Sequence, residues 1–207
     1  MRRIPYASTM SSLMYVMLCT RLDICYAVGI VSRYQSNPGL DHWTTVKIIL
    51  KYLRRTRDYM LVYGAKDLIL IGYTDSDFQT DKDSKKSTLG SVFTLNEGAV
   101  VWRSINCSKH ELFLHDLEVV PNMNLHITLY CDNNGAVANS KEPRSHKREK
   151  HIERKYHLIR EIVQRGDVIV TKIASKHNIA DQFTKTPMAK VFEGHLKSLV
   201  LRDMYIR

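Results

Sequence analysis

The hydrophobic positions change their period about a third of the way along the chain. Over residues 7–18, Met10, Leu13, Met14, Met17 and Leu18 recur at helical spacing. Residues 23–35 predict a second helix, stopped by Asn37, Pro38 and Gly39. Asp41 is placed to cap a third, in which Trp43, Val46, Leu50 and Leu53 form one apolar stripe. Lys47, Lys51, Arg54 and Arg55 occupy its other side, which is either a solvated face or one that tracks a nucleic-acid backbone. Residues 60–63 read as a short strand and 64–67 as a turn or linker.

From Leu68 the pattern is that of strands. An apolar run enters Gly72 and stops at Asp75 and Asp77, and alternation puts those two carboxylates on one face. Residues 88–95 and 99–102 are strands joined at Asn96, Glu97 and Gly98, a hairpin sequence. Residues 105–120 are short and mixed, with Leu112, Leu114 and Leu117 on one or two helical turns. Residues 125–132 repeat the design of an apolar strand ending in Asp, and a helix follows over 135–140. Ile152, Tyr156, Ile159 and Val163 share one helical face that ends at Gly166. Residues 168–174 are a fifth strand. A final helix starts at Asp181, with an amphipathic continuation at Val191, Phe192, Leu196 and Leu199. Strands, helices and strands in this order predict a mixed α/β sheet behind an N-terminal helical segment.

Composition narrows the partners. A net charge of +10 over 207 residues favours a polyanion, nucleic acid before an anionic membrane surface. Residues 141–155 concentrate it, with seven Lys or Arg against three Glu. Such a run is a solvated loop or a phosphate-contacting patch, and Lys141, Arg144, Lys147, Arg148 and Lys150 are its candidate contacts. Binding through it would weaken steeply with salt. No apolar run reaches the ~18 residues of a membrane span, and no signal-peptide pattern follows Met1. The four cysteines have no zinc spacing and read as reduced thiols, which suits an intracellular setting, cytoplasmic or nuclear.

Asp75, Asp132 and Asp181 are three carboxylates at the ends of separate elements, each beside a core strand. A carboxylate there is costly unless a cation meets it, and a divalent ion with oxygen ligands suits the set. His110 and His115 lie five apart, one too many for the two metal-binding histidines of a zinc protease to share a helix face. Cys131 reads as a small buried thiol. Thr184 and Lys185 either contact phosphate or face solvent.

These residues also carry a resemblance. Tyr73-Thr-Asp-Ser-Asp77, Tyr130-Cys-Asp-Asn-Asn-Gly-Ala136, His151-Ile-Glu-Arg-Lys-Tyr-His157 and Ala180-Asp-Gln-Phe-Thr-Lys185 resemble, in order and wording, the ribonuclease H domain of copia-type retrotransposon polyproteins. Upstream, Ser12-Leu-Met-Tyr15, Thr20-Arg-Leu-Asp-Ile24 and the stretch from Asn37 to Leu53 are similar to the end of the reverse transcriptase that precedes it. The resemblance implies a reverse-transcriptase tail over 1–66, a ribonuclease H-like five-stranded sheet over 67–190 and a helical tail over 191–207. It implies Asp75, Asp132 and Asp181 as catalytic and metal-binding residues, Mg²⁺ or Mn²⁺ as cofactor, and an RNA–DNA hybrid as partner, with Lys185 among the nucleic-acid contacts. It implies neither a membrane nor a small-molecule substrate, and oligomeric state is left open.

Two departures stand out. Leu22 replaces the proline usual in the upstream motif. More important, the family's fourth carboxylate, a Glu on a long helix between the third and fourth strands, has no counterpart in its usual wording. After Val101-Trp-Arg-Ser104 the sequence passes almost directly to Glu111-Leu-Phe-Leu-His-Asp-Leu117, which resembles only the end of that helix. Glu111 and Glu118 are the nearest carboxylates and neither stands in the motif. The first sheet-covering helix is therefore expected to be truncated, metal retention to be in question, and Val92, Phe93 and Val101 to be under-covered. Three readings follow: a ribonuclease H-like protein with lost or impaired hydrolysis, an inactive nucleic-acid-binding module, or a transposon relic without function.

Overall fold

The computed structural model describes residues 4–64, 69–77, 87–107, 127–141 and 163–204. The helix expected around 152–163, the segment after Cys107 that would hold the truncated helix, and Arg144, Lys147, Arg148 and Lys150 fall outside all or most of these residues.

Three helices open the chain: α1 (Tyr6–Cys19), α2 (Cys25–Ser32) behind a 3₁₀ turn at Leu22–Ile24, and α3 (Leu40–Arg55). Their facing stripes bury Tyr6, Met10, Leu13, Ile24, Val28, Val31, Val46 and Ile49 in one cluster. The α3 stripe is rotated slightly from expectation. Ile49 is in the core, whereas Leu50 is 40% exposed. The cap of α3 also differs. Gly39 is the N-cap, and its N–H donates to Nδ1 of His42 at 2.8 Å, while Asp41 sits in the first turn.

A five-stranded sheet follows, built from β2 (Leu70–Asp77), β3 (Ser87–Leu95), β4 (Gly98–Cys107), β5 (Ile127–Cys131) and β6 (Val168–Lys172) in the order β4-β3-β2-β5-β6. The first three strands are antiparallel, and β5 and β6 add in parallel. This is the five-stranded mixed sheet with flanking helices that the order of elements in the sequence predicts. The short strands β1 (Tyr59–Leu61) and β7 (Leu201–Asp203) pair separately. The remaining helices are α4 (Asn134–Lys141) and α5 (Ala189–Ser198).

Pleat alternation divides the sheet's core. Phe93, Leu70, Ile127, Leu129, Val168 and Val170 cluster on one face. Val92, Ala99 and Trp102 form the other cluster with Leu22, Cys25, Ile179, Ala180, Phe183 and Leu199. Val92 and Phe93 are thus fully buried, against the expectation of under-covered strands. For Val92 the cover comes from the N-terminal helical segment and from residues after β6, which the sequence patterns did not assign to that face. Val101 is partly buried.

Candidate metal centre

The site is assembled by register. β2 and β5 run parallel with Tyr73 beside Tyr130, their rings 5.2 Å apart. Two residues further along each strand direction come Asp75 and Asp132, on the face that Tyr73 and Tyr130 share. The third carboxylate arrives from outside the sheet. A 3₁₀ segment, Ile179–Phe183, crosses this face over β2 and β3 and carries Asp181. Asp181 was expected to open a helix, but the chain makes one tight turn and the α-helix starts only at Ala189. Buried Asn178 anchors the turn: its side chain accepts from the Ala180 N–H at 3.2 Å and donates to the Thr74 carbonyl at 3.0 Å.

Close approach requires a gap in the sheet surface, and Gly90 provides it. It is the register partner of Asp75. A Cβ there would come within 2.7 Å of the Ala180 carbonyl and of the Phe183 Cβ, and 2.9 Å from Thr184 Cγ2. Ser104 on β4 holds the far end of the turn through a 2.6 Å hydrogen bond to the Phe183 carbonyl.

Asp75, Asp132 and Asp181 each offer an oxygen within 4.8 Å of the others. Asp75 and Asp181 are buried and Asp132 is half-buried. Thr184 is fully buried and its hydroxyl donates to Oδ2 of Asp75. Lys185 places its ammonium 2.8 Å from Oδ2 of Asp181 and 3.8 Å from Asp75. Oδ1 of Asp181 is buried without a hydrogen-bond partner. Burial, helped by the nearby charges of Asp181 and Asp132, pushes the Asp75 carboxyl up to about 6, although Thr184 and Lys185 pull the other way. Burial works against the Lys185 charge, but the hydrogen bond to Asp181 and the surrounding carboxylates hold its pKa above the usual lysine range. One ammonium facing three carboxylates leaves an excess of negative charge. Three hard oxygen donors, one with an unpartnered buried oxygen, fit Mg²⁺ or Mn²⁺.

The structure therefore brings the three sequence-derived carboxylates together. Lys185, expected to meet nucleic acid, stands against two of them. Thr184 was expected to contact phosphate or face solvent, and instead points inward onto Asp75 because the 3₁₀ turn directs it toward the sheet. Lys141 closes α4, and Glu111, Glu118, His110, His115, His151 and His157 lie outside the described residues. The sequence patterns gave no sign of Gly90 or Asn178, whose roles depend on contacts across the sheet. His195 on α5 was also missed. It is buried, and burial holds its pKa below the usual histidine range. Among the described residues no helix is long and apolar enough to cross a membrane, and Cys19, Cys25 and Cys131 are free thiols.

No protein-family model matches the chain. It is 40% identical over 93% of its length to the retrovirus-related Pol polyprotein from transposon TNT 1-94 of Nicotiana tabacum, and 32% identical over 90% to that from transposon RE2 of Arabidopsis thaliana. It spans only 16% and 14% of those two proteins. Half of the chain is 42% identical to secreted RxLR effector protein 161 of Plasmopara viticola, covering 74% of that protein. Among solved structures, a ribonuclease H1 crystallised with an RNA/DNA hybrid aligns over 58% of this chain and 97% of that one, at 16% identity and a TM-score of 0.45.

Proposed function

The chain belongs among the homologues of retrovirus-related Pol polyproteins from copia-type transposons, and from that premise we propose that its acidic centre takes Mg²⁺ or Mn²⁺ and that its hydrolysis of the RNA strand of RNA–DNA hybrids is impaired. The observation that carries the reading is the convergence of Asp75, Asp132 and Asp181 within 4.8 Å, with a buried carboxylate oxygen left unpartnered. A bound divalent ion would supply an activated water and a charge clamp on the scissile phosphate. The chain's own residues hold and orient the ligands. Strands β2 and β5 fix Asp75 and Asp132, the turn after Asn178 fixes Asp181, and Lys185 balances part of their charge. Net charge of +10 favours the polyanionic partner. Impairment is argued from the family's fourth carboxylate, which has no counterpart in its usual wording. With one ligand fewer, less negative charge opposes that of the cation, and hybrid binding outlasts cleavage.

The test is a hydrolysis assay on a labelled RNA–DNA hybrid with Mg²⁺ or Mn²⁺, beside a binding titration at several salt concentrations. Expected are hybrid binding that weakens steeply with salt and cleavage near the background of Asp132→Asn. Robust cleavage that vanishes in Asp132→Asn would refute the impairment and direct attention to Glu111 and Glu118. Hybrid affinity that is undetectable or flat with salt would sink the nucleic-acid reading.

A further inference from the structure

Among the described residues, the Thr184 hydroxyl touches both an acidic side chain of the centre and the backbone that carries another. Its Oγ1 donates to Oδ2 of Asp75 and lies 3.0 Å from the carbonyl of Asp181. The side chain is fully buried, its methyl seated over Gly90, where a Cβ would approach to 2.9 Å. Methyl and hydroxyl are thereby committed to opposite tasks: the methyl fills the notch over β3 and the hydroxyl faces β2. A buried carboxylate without such a donor would be free to turn toward Lys185, whose ammonium already lies 3.8 Å away.

Resting on the cation-site reading above, we propose that Thr184 is a positioning residue of the acidic centre. Its hydroxyl locks the orientation of Asp75 and ties it to the turn bearing Asp181, so that the free oxygens of the two acids face one cation. The principle is that of partners that orient metal-binding carboxylates: their loss typically lowers metal affinity about 10–100-fold although they never touch the metal. A residue that served packing alone would tolerate valine, which keeps the branched shape and loses only the hydroxyl. It would tolerate serine less well, because serine loses the methyl that fills the Gly90 notch.

The two accounts give opposite orders, which a metal titration of the full chain can read without any catalytic assay. Mn²⁺ binding is measured by the loss of the free-ion electron paramagnetic resonance signal for the parent, Thr184→Ser, Thr184→Cys and Thr184→Val, with circular dichroism and thermal melts confirming that each is folded. The expected order of affinity is parent and serine together, cysteine weaker because its S–H is a poor donor, and valine about 10–100-fold below the parent. A valine variant that binds Mn²⁺ like the parent, or a serine variant weakened as much as valine, overturns the role of the hydroxyl. If valine does not fold, the serine-to-cysteine step decides, and equal affinities there overturn the proposal. A parent that binds no Mn²⁺ while folded fails at the earlier step, and refutes the cation site itself.

Discussion

Asp75 shows how far the acidic centre depends on what fills it. Burial raises its carboxyl from the usual 3.8 to about 6. A carboxyl whose folded pKa lies above its unfolded value contributes stability that is fully present below about pH 4 and is lost as pH rises through about 6. Without a divalent ion the chain is therefore expected to lose stability between about pH 4 and 7, by an amount on the order of 2–3 kcal/mol for this one group. Melting curves in EDTA, for the parent and for Asp75→Asn, isolate that part of the pH dependence. The asparagine variant should lose the decline, and Mn²⁺ should flatten it in the parent. Matching pH profiles in the two proteins would contradict the account. Asp75 and Asp132 were legible in sequence because each stands where an apolar run stops, a place that alternation and strand length can locate, whereas Asp181 joined them through the wording of its motif. Thr184 was not legible. A hydroxyl beside a lysine in a polar stretch has no readable direction until the turn that carries it is known to be 3₁₀ and to lie against Gly90.

The elements were legible where their period was long and their ends carried turn residues. Four strands of the sheet and the three N-terminal helices fall close to the expected ranges, whereas β4, expected over 99–102, runs on to Cys107 because its pairing with β3 continues to Ser87. What escaped was cover. Hydrophobic alternation says that Val92 is buried but not by what, and residues as distant as Leu22 and Leu199 supply part of its cluster. Asp181 misled for a related reason: an acidic residue ahead of apolar positions resembles a helix start, yet the bond from Asn178 to the Thr74 carbonyl pins the segment to the sheet after one turn. The β3–β4 hairpin was read correctly as a turn, and its geometry yields a prediction. Asn96 and Glu97 both adopt left-handed backbone, at φ 50° and 70°. Such two-residue loops favour Asn followed by Gly, and Asn96 is already in place, its side chain accepting from the Ile69 N–H at 3.1 Å. Glutamate at the second position carries a steric cost that glycine avoids. Glu97→Gly is expected to raise stability by about 0.5–1 kcal/mol, net of the greater freedom of glycine in the unfolded chain. Urea unfolding measures this, and a lower midpoint for the variant would count against the turn assignment.

At the scale of the whole molecule, the helical segment and the sheet are joined through one core and one polar lock. Leu22 and Cys25 pack with Val92, Trp102 and Phe183, the Trp102 indole donates to the Met17 carbonyl at 2.8 Å, and β1 pairs with β7 from the far end of the chain. The lock lies beside Leu22. Arg21 makes a two-pronged pair with Asp23, at 3.0 and 2.7 Å, and also donates to the Thr56 carbonyl at 2.9 Å. Tyr52 donates to the same Asp23 carboxylate at 2.6 Å. The stretch Thr20-Arg-Leu-Asp-Ile24 thus has a structural use: through Arg21 and Asp23 it ties the turn before α2 to the end of α3. The Asp23 side chain is wholly buried, so removing the guanidinium strands a charge, and a change of that kind costs about 3–5 kcal/mol. For a chain of this size that corresponds to a fall in melting temperature of roughly 6–20 °C. Arg21→Met is expected to show it. Because Leu22 sits in the sheet's core, the loss should reach the whole fold, lowering one cooperative transition. The double variant Arg21→Met, Asp23→Leu should recover part of the loss, since no buried charge is then left alone. Calorimetry of the three proteins decides the matter. Two separate transitions, with only the first displaced by Arg21→Met, would mean that the helices and the sheet unfold independently. The shared core would then contribute little to holding the acidic centre in place.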